Sequence, residues 1–122
     1  MIGAGLTVFQ KSSNAVAAPA TVVAGPTDAP GTTTVTATDN KFDKTALTAT
    51  AAQELTVTLK NSGKVPHNIH FFDKKGGTSI AMANITSAGQ TATIKFTPPT
   101  AGTYYFQCDV HPDQMFGTLT VK

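Results

Sequence analysis

Residues 104–121 read Tyr-Tyr-Phe-Gln-Cys-Asp-Val-His-Pro-Asp-Gln-Met-Phe-Gly-Thr-Leu-Thr-Val, and they give the clearest indication of the fold. Two strands are predicted in it, one ending at Cys108 and one following Met115, because aromatic and β-branched residues favour pleated structure. The intervening loop carries a thiol, an imidazole and a thioether within eight residues, at Cys108, His111 and Met115. Since pairing of the two strands brings the ends of the loop together, these three side chains can face one point.

A second imidazole, His67, lies far upstream in a strand predicted over 65–72. Period-two alternation puts His67, Ile69 and Phe71 on one face of that strand and His70 on the other. Because Ile69 and Phe71 are typical core residues, His67 is expected to point inward, and His70 is expected to be a surface or packing residue. Two imidazoles, one thiolate and one weak axial thioether match the ligand set of a blue copper site, which serves both Cu(I) and Cu(II).

Composition and alternation predict further strands outside these two segments. Threonine occurs 22 times, often beside valine, alanine or isoleucine, and β-branched residues favour strands over helices. Residues 78–88 show no clear period and are predicted to hold a short helical turn, with Met82 as a packing residue. About seven to eight short strands separated by turn signals predict an all-β sandwich of two sheets. The predicted strands are 34–38, 46–49, 54–60, 65–72, 92–97, 104–108 and 116–121.

The first 31 residues differ in composition from the remainder of the 122-residue chain. An apolar run over 1–9 is too short to span a bilayer, for which about 20 apolar residues are needed. Residues 12–31 are rich in Ala, Pro, Ser, Thr and Gly without hydrophobic periodicity, which is typical of a flexible linker. We therefore expect a flexible tether over 1–31, which could be the remnant of an anchor or signal, and one folded domain over 32–122.

Charge and cysteine content exclude several classes of function. Nine lysines without arginine and seven carboxylates give a formal charge of +2, with no basic stripe, so nucleic acid is not an expected partner. A single cysteine excludes an intrachain disulfide, a cysteine-rich zinc site and an iron–sulfur cluster held by one chain. An unpaired thiol is awkward in an oxidising compartment unless a metal occupies it, and this favours a metal-loaded protein outside the cytoplasm.

With these residues in view, the sequence resembles the cupredoxins, the small blue copper proteins that include plastocyanin, amicyanin and pseudoazurin. The resemblance covers the folded part and none of the first thirty residues. It rests on three segments: Asn61-Ser-Gly-Lys-Val-Pro-His67-Asn, Pro98-Pro-Thr-Ala-Gly-Thr-Tyr-Tyr105-Phe-Gln-Cys108, and His111, Met115 and the Gly117-Thr-Leu-Thr-Val121 ending. It implies a Greek-key β-sandwich with one type 1 copper ion at one end, carrying single electrons between redox partners rather than acting as an enzyme.

The resemblance also implies the role of each ligand. His67, Cys108 and His111 would be the equatorial ligands and Met115 the axial one, while Asn68 would brace the loop beside the cysteine. The spacing Cys-x2-His-x3-Met has one residue fewer before the methionine than plastocyanin-like loops and one more than amicyanin-like loops. The neighbouring Gln114 is therefore an alternative axial ligand, although Met115, just before the closing strand, is favoured.

The resemblance and the chemistry of the ligand residues together suggest partners, a location and rival functions. Redox proteins are expected to dock briefly near His111, with Pro66 and Pro112 beside it, on a monomer outside the cytoplasm, at the periplasm or cell surface, with a possible N-terminal membrane tether. An extracytoplasmic protein that binds or delivers copper without electron transfer is the alternative. A Cys-His hydrolase is disfavoured, because Asp109 and Asp113 oppose an electropositive pocket around the thiol.

Overall fold

The protein is described by a computed structural model over residues 31–122, and within that range it consists of strands without a helix. The strands are β1 (Thr32–Thr38), β2 (Lys41–Phe42), β3 (Ala46–Ala49), β4 (Leu55–Asn61), β5 (His70–Phe72), β6 (Ser79–Met82), β7 (Thr91–Phe96), β8 (Gly102–Gln107) and β9 (Phe116–Val121). Within residues 31–122 there is no helix with the length and apolar composition needed to cross a membrane. The tether predicted over 1–31 lies, apart from Gly31, outside the described residues.

Four strands form one sheet in the order β2-β1-β4-β7. β4 lies parallel to β1 and antiparallel to β7, and its alternating Leu55, Val57 and Leu59 are buried while Thr56 and Thr58 face outward. This is the alternation that the sequence predicted. The sheet therefore supplies one apolar wall of the sandwich.

Five strands form the second sheet in the order β3-β9-β8-β5-β6. β8 and β9 pair antiparallel from Gly102↔Val121 to Gln107↔Phe116, so the loop over 108–115 emerges from one end of this pair. Gly117 permits a close approach inside the sheet, because a Cβ at this position would lie 2.6 Å from the Phe106 ring and 2.4 Å from the Thr45 carbonyl oxygen. The second sheet thus carries the predicted ligand loop at one end.

Aromatic rings fill the space between the sheets. Phe106 packs against Phe42 and Phe71 with ring centroids 5.6 and 5.4 Å apart, and Phe71 also contacts Phe96 at 4.9 Å. Aliphatic side chains of both sheets, Leu119 among them, complete a continuous buried core that extends to Cys108 and Met115. The two-sheet sandwich expected from the sequence is confirmed, with nine strands in the described range instead of about seven to eight.

Two segments depart from the predicted strands. The strand expected over 65–72 forms only at His70–Phe72, because Pro66 has no N–H to pair and His67 makes only an isolated backbone bridge to Thr86. The helical turn expected within 78–88 is wrong, since Ser79–Met82 is a strand paired with β5. A register shift between Phe71 and Phe72 disturbs this pairing, which accounts for the missing period. Met82 was expected to pack but is 52% exposed.

Candidate metal centre

The loop between β8 and β9 is shaped by its own backbone. The N–H of Cys108 donates to the carbonyl of Met115 at 2.9 Å, which closes the loop at its base. The N–H groups of Gln114 and Met115 both donate to the carbonyl of His111, at 3.1 and 2.9 Å. The N–H of His111 donates to the carbonyl of Cys108 at 3.2 Å. Three candidate ligands are therefore held by hydrogen bonds that do not depend on a metal.

The ligand atoms predicted from sequence converge. The Sγ atom of Cys108 lies 3.8 Å from Nδ1 of His67 and 3.9 Å from Nδ1 of His111. All three donor atoms lie within 4.8 Å of one another, and theirs is the one such group of three or more His, Cys, Asp or Glu side chains within residues 31–122. A metal in the plane of three ligands, ~2.0 Å from nitrogen and ~2.3 Å from sulfur, leaves N···S separations of roughly 3.7 Å. The observed distances fit such an ion.

The two candidates for an axial ligand differ in their surroundings. Met115 is buried and belongs to the core that contains Cys108, whereas the adjacent Gln114 is exposed. The side chain of Met115 is therefore buried with the thiol in one core, and Gln114 is exposed to solvent. This placement favours Met115 over Gln114.

His67 is held by an isolated bridge to Thr86. Its N–H donates to the Thr86 carbonyl at 3.1 Å, and the N–H of Thr86 donates back at 2.7 Å. The buried side chain of Asn61 supports this bridge: Nδ2 donates to the carbonyls of Val65 and Thr86 at 2.9 and 2.8 Å, and Oδ1 accepts from the N–H of Gly63 at 2.9 Å. In the sequence Asn61 belongs to a segment of family resemblance but has no predicted role of its own, so its support of this bridge was missed.

The buried imidazole of His67 is suited to ligation. Burial lowers its pKa, and the nearby His111 lowers it further, although Asp39 acts in the opposite direction. The ring therefore favours the neutral form that a metal requires. Its Nε2 atom is buried without a hydrogen-bond partner among the described residues, and Nδ1 faces the thiol.

Asn68 connects the two ligand segments. Its amide donates to Oδ2 of Asp109 at 3.0 Å, and its Oδ1 accepts the N–H of Asp109 at 2.7 Å. The backbone N–H of Asn68 also points at Sγ of Cys108, at 3.5 Å. The expected brace beside the cysteine is confirmed. A strand over 65–72 would put Asn68 on the same outer face as His70, but Asn68 is buried because it belongs to a loop and not to a strand.

Asp109 and His70 were not foreseen as parts of this network. Burial raises the pKa of Asp109, but hydrogen bonds from Asn68, Gln107 and His70 outweigh it and leave the pKa below its usual value. His70, expected to be a surface or packing residue, instead contacts Asp109 and Ser79 through its two ring nitrogens, at 2.8 Å each. No local sequence pattern signals these contacts, since they join residues far apart in the chain.

Comparisons with known proteins agree with this geometry. A model of the cupredoxin-like domain family matches residues 2–121. Auracyanin-A of Chloroflexus aurantiacus is 33% identical over 110 residues, spanning 66% of this chain and 67% of that protein.

Solved structures give the same result. The structure of auracyanin A, described as a blue copper protein of C. aurantiacus, has a TM-score of 0.69 and 27% identity, covering 77% of this chain and all 100% of that one. Dithionite-reduced auracyanin of Roseiflexus castenholzii has a TM-score of 0.70 and 27% identity, over 78% and 99% of the two chains. A reduced mutant form of amicyanin has a TM-score of 0.57 and 28% identity, over 78% and 86%.

Proposed function

This chain belongs to the cupredoxin-like family, and from that premise we propose that it is a mononuclear blue copper protein that carries single electrons between redox partners. As a cupredoxin similar to auracyanin and amicyanin, it is not an enzyme by itself. The observation that carries the proposal is the convergence of Cys108 Sγ on Nδ1 of His67 and His111, at 3.8 and 3.9 Å. Bound copper supplies one-electron chemistry between Cu(I) and Cu(II).

The residues of the chain supply a fixed and largely dry set of ligands. In the proposed site His67, Cys108 and His111 would hold the copper ion, and the buried Met115 would supply the fourth, weaker ligand. Backbone hydrogen bonds within 108–115 and the His67–Thr86 bridge hold the donors before any metal binds. Because the donors are already in place, little structure has to rearrange when the oxidation state changes, which favours fast transfer without a substrate pocket.

The same arrangement supports a route for the electron through His111. Of the two imidazoles, His67 is fully buried while His111 is half-buried at the surface. Its chain neighbours Val110 and Pro112 are exposed and apolar, as are Val65 and Pro66 beside the other ligand. Small apolar surfaces suit weak, brief encounters, so we assign the docking of redox proteins to this end of the sandwich.

The cellular setting is part of the same proposal. Cys108 is a buried free thiol, and copper bound to it would protect it in an oxidising compartment. We therefore place the protein outside the cytoplasm, at the periplasm or the cell surface. Residues 1–31 would tether a monomeric domain over 32–122, and could hold it near a membrane. Fractionation of cells that produce the full chain, with and without residues 1–31, tests this placement directly.

A visible absorption titration of the metal-free protein with Cu(II) tests the site itself. We expect an intense thiolate-to-copper band that saturates at one equivalent. Cys108→Ser is expected to lack the band, and His70→Asn, which changes a histidine outside the ligand set, is expected to keep it. Identical titrations for wild type and Cys108→Ser would refute the proposed copper site.

A further inference from the structure

His70 is the one histidine within residues 31–122 that does not belong to the ligand set. It lies on β5 and stacks on Phe72, with ring centroids 4.0 Å apart. Its side chain is largely enclosed, and both ring nitrogens are engaged: Nδ1 with Oδ2 of Asp109 and Nε2 with Oγ of Ser79. An ionised carboxylate can only accept hydrogen bonds. Nδ1 of His70 therefore carries a hydrogen and donates the hydrogen bond to Asp109.

Asp109 is the centre of this network. Oδ2 accepts from His70 Nδ1 at 2.8 Å and from Asn68 Nδ2 at 3.0 Å, while Oδ1 accepts from Gln107 Nε2 at 2.8 Å. The backbone N–H of Asp109 in turn donates to Oδ1 of Asn68 at 2.7 Å. The carboxylate therefore ties β5, the end of β8 and the segment after His67 to one another.

The network leads to the sulfur of Cys108 in two steps. Asn68, clamped by Asp109 on both sides of its amide, directs its own N–H toward Sγ at 3.5 Å. An N–H dipole beside a thiolate withdraws electron density from it, and so stabilises the more electron-rich Cu(I) state. Hydrogen bonding around this sulfur is one of the features that set the potential of a blue copper site.

We propose that His70 is a positioning residue for the copper site: through its hydrogen bond to Asp109 it holds Asn68 in place, keeps the N–H of Asn68 on the Cys108 sulfur, and thereby raises the reduction potential. The Ser79 contact fixes the rotation of the ring but does not lead toward the metal. The proposal rests on the proposed function, since it concerns the potential of the copper that Cys108 would bind.

Two substitutions separate the two contacts of the ring. The amide of asparagine ends near the position of Nδ1, so His70→Asn retains a donor to Asp109. The amide of glutamine ends near Nε2, so His70→Gln retains the contact with Ser79 and loses the one with Asp109. Both variants are uncharged, so the comparison between them cancels any contribution from the charge of the imidazole.

The reduction potentials of copper-loaded wild type, His70→Asn and His70→Gln are compared at one pH and one ionic strength. We expect His70→Gln to shift the equilibrium toward Cu(II) by about threefold to tenfold at a fixed potential, a fall of ~30 to 59 mV for a one-electron couple. His70→Asn is expected to stay at the wild-type potential. Equal shifts in both variants, a shift in His70→Asn alone, or no shift in either would overturn the proposal.

Two further variants guard against misfolding and against failure of the premise. Gln107→Ala removes the donor to Oδ1 of Asp109, and we expect a fall in potential smaller than that of His70→Gln. If neither His70 variant folds, an unchanged potential in Gln107→Ala overturns the proposal. Ser79→Ala is expected to leave the potential unchanged, and a fall as large as that expected for His70→Gln would also overturn it. If wild type forms no thiolate-to-copper band, the proposed function fails, whereas a normal band with the wrong pattern of potentials refutes only the role of His70.

Discussion

The four-stranded sheet and the ligand-bearing end of the five-stranded sheet bury different kinds of side chain. In β1 and β4 of the four-stranded sheet the buried residues are mostly aliphatic, as with Val57 and Leu59, and they follow the pleat without interruption. The end of the five-stranded sheet instead buries an imidazole, an amide and a thiol, at His67, Asn68 and Cys108. One region has the composition of an ordinary core, and the other has that of a binding site.

This difference indicates that one set of buried residues stabilises the fold and another set serves the function. Aliphatic burial stabilises the fold at roughly 25 cal/mol per Å² of apolar surface. A buried imidazole nitrogen without a hydrogen-bond partner among the described residues, as at Nε2 of His67, costs free energy. Functional sites commonly carry such costs. The apolar core, to which the four-stranded sheet contributes Val57 and Leu59, should therefore set the free energy of unfolding, and the ligand end should set the properties of the copper.

The largest effect on stability is expected from Leu59→Ala. Leu59 is fully buried in β4, and removal of its side chain leaves a cavity that costs about 2–5 kcal/mol in the free energy of unfolding. At saturating Cu(II) the absorption spectrum should match that of wild type. Urea denaturation and the copper titration measure the two quantities. Thr58→Ala, on the outer face of the same strand, is the matched control with an expected change within about 0.5 kcal/mol.

Asn61→Ala tests the point where the two regions meet. Asn61 ends β4, yet its amide anchors the carbonyls of Val65 and Thr86 beside the His67 ligand. We expect a loss of about 1–3 kcal/mol in the free energy of unfolding, because buried hydrogen-bond partners are left unpaired. Unlike Leu59→Ala, this change should also weaken copper binding, measured by competition with a chelator. Ser62→Ala is the exposed control, and unaltered copper affinity in Asn61→Ala would contradict the assigned role.

Met115→Leu tests the axial assignment with little change in volume. Without the thioether we expect the potential to rise, since divalent copper gains more than monovalent copper from an additional electron-pair donor. A tenfold shift toward Cu(I) corresponds to ~59 mV, or ~1.4 kcal/mol. Voltammetry measures the potential, with Met82→Leu as the control for an exposed methionine and Gln114→Ala for the rival ligand. A shift in Gln114→Ala and none in Met115→Leu would reverse the assignment.

The smallest effect concerns the pH dependence of the metal-free protein. Burial lowers the pKa of His67 in the folded state, so the unfolded chain binds a proton more readily once the pH falls below the usual value of 6.5. Stability should therefore decrease between pH 6.5 and the lowered folded-state pKa. Asp109, whose pKa is also lowered, contributes stability that is lost only below its usual value of 3.8, in a separate window.

Urea midpoints measured from mildly alkaline to mildly acidic pH, across the usual histidine pKa of 6.5, report this dependence. His67→Leu, which has no titrating side chain, is expected to reduce the loss of stability in that range. A midpoint that rises on acidification in wild type, or an equal slope in both proteins, would contradict a neutral buried His67.

The regular sheets could be predicted from the sequence because alternation there reflects one physical cause, an apolar face against a core. Strand β9 over Phe116–Val121 was predicted with its observed bounds, and β4 and β8 within two residues. The ligand residues could be predicted for another reason. The spacing of Cys108, His111 and Met115 within one loop restricts their positions so closely that the chemistry of the side chains suffices.

The remaining features depend on contacts between distant parts of the chain. Residue type and position predict only that Asp109 is exposed. Its place in the hydrogen-bond network depends on Asn68 and His70, which lie 41 and 39 positions away in the chain. β6 lacks a period because its pairing with β5 shifts register, and β2 has only two residues, too few for a pattern. Such features follow from the tertiary arrangement, which overrides local propensity.

An electron carrier keeps its copper while the ion changes oxidation state, and repeated reduction and reoxidation in the presence of a Cu(I) chelator shows whether this protein does so. If the protein is an electron carrier, the thiolate-to-copper band should disappear on reduction and return to its full intensity on reoxidation over many cycles. Transfer of copper to the chelator in the reduced state, with loss of the band after the first cycle, would refute the electron-carrier function and indicate a protein that delivers copper.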